Sequence, residues 1–214
     1  MLVRRLRGRI LEARIVETEA YLGEADAAAH VHRGRRTRRT EPLYGPGGTL
    51  YVYFVYGMHH CLNLAVDAAG VPGCVLIRAA EPLPGSGLSP LALRGPGRLC
   101  RALALDTRLS GRHVFDPHAP LTLRFGPPPR RIAVSRRVGI RMACSRRLRF
   151  YDPESAAVSL SPSKRHALCS SSPLSGRPGL RPRGLGGDVP GISFRLRPHE
   201  SDATPRARPQ ARMS

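Results

Sequence analysis

The feature that most constrains how this chain can fold is a series of short β-type apolar runs, each cut off by glycine or proline. Residues 9–21 (RILEARIVETEAY) are rich in branched side chains with partial alternation, which predicts a strand carrying Glu17, Glu19 and Tyr21 on one face. Residues 49–55 (TLYVYFV) predict a second strand, Tyr56-Gly57-Met58 a tight turn and 59–66 (HHCLNLAV) a returning strand, so together they make a protruding hairpin. Residues 73–80 (GCVLIRAA) predict another strand, interrupted by the single charge of Arg78. Between these lie a loop or short helix over 22–30 and a basic loop, broken by Gly and Pro, over 33–48. After Gly95-Pro96-Gly97, residues 98–105 (RLCRALAL) have helical spacing behind a Pro/Gly start signal. Short strands over 120–125 and 148–150 complete the pattern. Many strands and few helices place the chain in the α+β class, as one compact domain around a mostly antiparallel, curved β-sheet.

That domain is expected to span residues 1–160. Residues 161–214 hold 23 Pro, Gly or Ser among 54 positions and show almost no apolar periodicity, so they cannot bury enough surface to offset chain entropy. They are expected to form a disordered basic tail. The chain as a whole carries a formal charge of +20. The tail accounts for ten basic against three acidic residues, and the domain remains strongly basic without it. Such a balance implies a polyanionic partner, because each Lys or Arg that meets a phosphate releases counterions. Nucleic acid is favoured over a membrane, since no basic amphipathic helix with a bulky apolar face is present. No apolar run approaches the roughly 18 residues of a membrane span, and residues 1–14 contain no signal-peptide core. An intracellular location, cytoplasmic and nucleoid-associated in a bacterium or else nuclear, is therefore expected. The five cysteines are odd in number, widely spaced and never in a C-x-x-C pair, so they read as reduced and mostly buried.

Five of the six tyrosines (21, 44, 51, 53 and 56) fall in one short stretch, beside Glu17, Glu19, His30 and His32. Tyrosines next to basic loops suit stacking on nucleobases, since each ring offers a flat face at little entropic cost. Tyr51 and Tyr53 read equally well as ordinary strand residues. Tyr56 has no core to join at the hairpin tip, where an aromatic can act as a wedge between base pairs. A lone carboxylate on a strand is ordinarily solvated, but Glu19 beside tyrosines and an arginine can orient a water and stabilise an oxocarbenium-like state. The pairs His30-x-His32 and His59-His60 stand at no convincing metal-ligand spacing with an acid or cysteine, so no metal is expected.

The runs RIVETEAYLGEADAAAH, GPGGTLYVYFVYGMHHCLNL, CVLIRAAEPL, GPGRLCRALAL, RRVGI and LRFYDPESAAVS, in this order over residues 3–160, resemble the alkyladenine (3-methyladenine) DNA glycosylase family. The resemblance implies a monofunctional enzyme of base-excision repair that flips alkylated or deaminated purines out of damaged duplex DNA. It would hydrolyse the N-glycosidic bond without a cofactor, as a monomer. It further implies that Glu19 is the general base, that Arg78 and the Val138 carbonyl hold the attacking water, and that Tyr21 and Tyr53 sandwich the base. His30 would close the pocket and read the base edge through its amide, Asn63 would clash with the exocyclic amine of normal guanine, and Tyr56 would fill the gap left in the duplex. Arg35, Arg36 and Arg38 of the basic loop, with Arg98, are expected to touch phosphate. The family pattern carries a further helix before the first strand, which this chain is expected to lack. Lys164 is the only lysine, so the family-like core offers no Schiff-base nucleophile. The alternative reading is a lesion- or nucleic-acid-binding module with impaired chemistry.

Overall fold

The computed structural model describes residues 1–159; the expected tail lies outside the described residues. Eight strands form one sheet: β1 (Leu2–Leu6), β2 (Arg9–Tyr21), β3 (Leu50–Val55), β4 (His59–Ala65), β5 (Cys74–Pro82), β6 (Leu121–Leu123), β7 (Ala133–Ser135) and β8 (Arg149–Tyr151). The main order is β3-β4-β5-β2-β1-β6, with β8 pairing both β2 and β7, and each of these pairings is antiparallel. The α+β expectation is met. The one α-helix, α1 (Pro96–Ala102), starts behind Gly95, whose φ of 105° a side chain would resist, with Pro96 in the first turn.

Strand β2 organises the molecule. Its first half pairs with β1, its second half with β8 through Glu17, Thr18 and Glu19, and its other edge with β5. The β2–β5 ladder is irregular at one place. Ile15 faces Ala80, Glu17 faces Ala79 and Thr18 faces Ile77, so the pairing skips Val16 on β2 and Arg78 on β5. Such bulges bend a sheet and re-aim side chains, often beside active sites.

Leu2, Leu50, Leu62, Ile77, Leu99 and Leu121 are all but fully buried in the main core, where α1 packs against the sheet. Each contributes roughly 1.5–3 kcal/mol by leaving water. Strand β1 was not foreseen, because its apolar alternation is interrupted by an arginine that points inward. Arg4 is buried and donates to the carbonyls of Leu103, Ala104 and Pro120. The helix stops before the expected residue 105 because Ala104 turns left-handed, with φ of 47°, and the Leu105 N–H closes back on the Cys100 carbonyl. Among the described residues no helix is long and apolar enough to cross a membrane. Cys61, Cys74 and Cys100 are buried free thiols, and Cys169 lies outside the described residues.

Candidate active site

Antiparallel pairing of β2, β5 and β4 brings Glu17, Glu19, Tyr21, Arg78, Cys61 and Asn63 into one neighbourhood, which the hairpin β3–β4 and residues 27–31 and 138–142 enclose. Together they surround a cleft of about 470 Å³, within the roughly 300–1,000 Å³ typical of small-molecule sites. Tyr21, His30, Tyr53, Asn63, Arg78 and Val138 all line it, and Tyr56 stands at its rim. Glu19 does not line it. Its side chain is fully buried beneath the floor, and the groups that touch it are the ones that face the cleft.

One Glu19 oxygen accepts the Val138 N–H at 2.7 Å and meets Arg78 Nη1 at 3.3 Å; the other accepts the Tyr21 hydroxyl at 3.0 Å. Val138 thus contacts Glu19 through its amide. Burial pushes the Glu19 carboxyl above its ordinary pKa, and the opposing pull of Arg78, the Val138 amide and the Tyr21 hydroxyl does not overcome it. Glu17, two residues earlier, is shifted the other way. Burial opposes its charge as well, but Arg78, Arg149 and Ser159 outweigh that and hold it below the usual carboxylate range. Two neighbouring carboxyls pushed apart in pKa form the usual preparation for a group that must exchange a proton near neutral pH.

The aromatic walls are braced from behind. The Arg137 guanidinium lies 4.6 Å from the Tyr21 ring centroid and is held by Asp26, which also accepts the N–H groups of Leu22 and Ala28. Asp26 therefore fixes both the Tyr21 wall and the start of the segment carrying His30. The His30 Nδ1 is hydrogen-bonded to the Tyr51 hydroxyl at 2.8 Å, and its ring meets Tyr53 edge-on at 4.6 Å. Burial, Arg39 and Arg35 together lower the His30 pKa, so the imidazole is neutral at pH 7. Asn63 donates to the Tyr51 and Cys61 carbonyls, which makes its carboxamide a rigid part of the wall.

At the hairpin tip Tyr56 and Gly57 have φ of 54° and 67°, and the Met58 N–H bonds the Val55 carbonyl, a β-turn with both centres left-handed within the loop 56–58. Tyr56 is 80% exposed. Of the arginines expected at phosphate, Arg35, Arg38 and Arg98 are exposed, whereas Arg36 is engaged by Glu41 and stacks on Tyr44. Arg39, not singled out from sequence, lies over Tyr53 and lines the cleft. His32 Nδ1 bonds the Glu24 carbonyl.

The sequence profile of the family described as methylpurine-DNA glycosylase (MPG) matches residues 1–156. The chain belongs to the methylpurine-DNA glycosylase family. It is a DNA glycosylase, an N-glycosyl hydrolase of base-excision repair. It is 42% identical over 161 residues to a protein of Chlorobium phaeobacteroides (strain BS1) named "Putative 3-methyladenine DNA glycosylase", covering 71% of this chain and 80% of that one. Proteins of the same name in Myxococcus xanthus (strain DK1622) and Methanocella arvoryzae are 50% identical over 130 residues and 41% identical over 171. Those matches cover 59% and 74% of this chain, and 64% and 84% of the relatives.

Several groups in this glycosylase site carried little signal in the sequence. The strand alternation did place Glu17 beside Glu19, and Arg137 directly precedes Val138. Asp26, Tyr51, Arg149 and Ser159 lie in the family-like runs, and Tyr51 also in the tyrosine cluster, but nothing local gave them these contacts.

Proposed function

We propose that the enzyme extrudes an alkylated or deaminated purine of the 3-methyladenine, hypoxanthine and ethenoadenine class from duplex DNA into this cleft. There it hydrolyses the N-glycosidic bond in one step, leaving an abasic site. The observation that carries the reading is the placement of Glu19, with its raised pKa, beneath a cleft walled by Tyr21, Tyr53 and His30, next to the exposed Tyr56 tip.

In this reaction water adds to the sugar C1′ as the bond to the base breaks, with the electron pair leaving on the base and the water proton passing to Glu19. Arg78 and the Val138 backbone orient that water. An alkylated, cationic purine departs without protonation. Damaged bases also cost less to extrude, so flipping supplies part of the selectivity. Asn63 opposes the exocyclic amine of guanine, and the partner is damaged duplex DNA, with Arg35, Arg38 and Arg98 as phosphate contacts. Residues 1–159 contain no lysine, which supports hydrolysis without a lyase step.

The test is a duplex carrying one hypoxanthine or ethenoadenine, treated with alkali after incubation. Wild type should release the base, and Glu19→Gln should lose about 10²–10⁴-fold in rate, the usual share of a general base. Tight binding with no release by either protein would overturn the proposal in favour of a lesion-binding module.

A further inference from the structure

Glu17 is 1% exposed, and nothing in the reaction described above uses it. One of its oxygens accepts Arg78 Nε at 2.8 Å, Arg149 Nε at 2.7 Å and the Ser159 hydroxyl at 2.7 Å; the other accepts the Ser159 N–H at 2.7 Å. These donors come from three separate segments of the chain. Burying a carboxylate with two guanidiniums costs more than an apolar cluster of the same volume, so the arrangement is not explained by stability alone.

The bulge gives it a purpose. Arg78 stands at this bulge on the same face of β5 as Cys74 and Leu76, and there it lies between two acids of β2. Its planar fork then spans both of them, with a short contact from Nε to Glu17 and a longer one, 3.3 Å, from Nη1 to Glu19. Its third nitrogen reaches the Ser159 hydroxyl at 3.4 Å. Arg78 thus makes its shorter carboxylate contact with the acid that performs no chemistry.

We propose that Glu17 is a positioning residue for base excision: it fixes the Arg78 guanidinium at the cleft floor and takes up enough of its charge that Glu19 remains basic. This rests on Glu19 being the general base. With Glu17 neutral, Arg78 is released to pair fully with Glu19, and the repulsion between the two carboxylates disappears. Both effects make Glu19 a weaker base. The other groups that face Glu19 are the Tyr21 hydroxyl on β2, the Val138 amide and nearby Arg137 after β7, and Cys61 on β4. None of them is altered by the substitution.

The experiment is the pH dependence of single-turnover excision from a duplex carrying a cationic lesion without guanine's exocyclic amine, 3-methyladenine, whose departure needs no general acid, so that the acid limb reports the base. For Glu17→Gln the acid limb should move down by about one pH unit, the size of effect expected from a neighbouring charge. The plateau should fall about ten-fold through misplacement of Arg78. Binding to a duplex with a stable abasic analogue should change less than two-fold. Glu17→Gln/Arg149→Met removes one charge of each sign and so protects folding; it should show the same downward shift, because Arg78 is released in both. All rates are taken well below each variant's melting midpoint. An acid limb that coincides with wild type in either variant, with a rate lowered only in proportion to the folded fraction, would overturn the positioning role. Loss of release in wild type itself, or its persistence in Glu19→Gln, would instead overturn the assignment of Glu19.

Discussion

Replacing Asp26 by alanine strips a buried guanidinium of its carboxylate. The Arg137 and Asp26 side chains are both fully buried, the pairing is bidentate, and Arg137 Nε already lacks a hydrogen-bond partner among the described residues. Breaking a buried pair from one side typically costs about 3–5 kcal/mol, against a total stability of about 5–15 for a domain. For a domain of this size that corresponds to a fall in melting temperature of about 6–20 °C. Equilibrium urea unfolding of Asp26→Ala, Arg137→Met and the double variant gives the measurement. The double variant should be more stable than Asp26→Ala, because it leaves no unpaired charge inside. Burial works to raise the Asp26 pKa, but hydrogen bonds from Arg137, Ala28 and Leu22 hold it below the ordinary 3.8. The pair's contribution is therefore complete above that value and drains away as pH falls through it, so the gap between wild type and Asp26→Ala should narrow in acid. Destabilisation below about 1 kcal/mol, or costs that simply add in the double variant, would refute the reasoning.

Two further outcomes follow from the cleft and the hairpin. Tyr56→Gly removes a large side chain from a left-handed position, so urea unfolding should show a gain of about 1 kcal/mol even as excision from duplex DNA falls; equal losses of lesion capture and nonspecific binding would mark Tyr56 as merely structural. Tyr51→Phe deletes the hydroxyl that holds His30, at a cost of about 0.5–1.5 kcal/mol, and kcat/KM for the lesion should drop about 2- to 10-fold. An unchanged kcat/KM would remove His30 orientation from the account.

The sequence was most informative wherever a local rule acts alone. The bounds of β2 coincide with the alternating run 9–21, and the hairpin follows from two β-rich runs flanking Tyr56-Gly57. Tyr21, Tyr53, Asn63 and Arg78 reach one cleft because strand period and register are set by the apolar pattern and the turns. Local reading failed at β1, where Arg4 sits at a core position that only distant carbonyls make tolerable, and at the end of α1, where Ala104 turns left-handed.

The sequence by itself determined the residue types, their order along each strand and the basic character of the partner-binding surface. It did not determine how the surroundings of its two neighbouring acids would differ. Glu17 and Glu19 are two residues apart on one strand face, and nothing local distinguishes their chemistry. Their opposite pKa shifts arise because β8 and Ser159 deliver donors to Glu17, while Val138 and Tyr21 close over Glu19 and leave it short of compensating charge. Those partners lie up to 142 positions away along the chain, and both burial and charge pairing depend on distance in space, which exists only once the strands have paired.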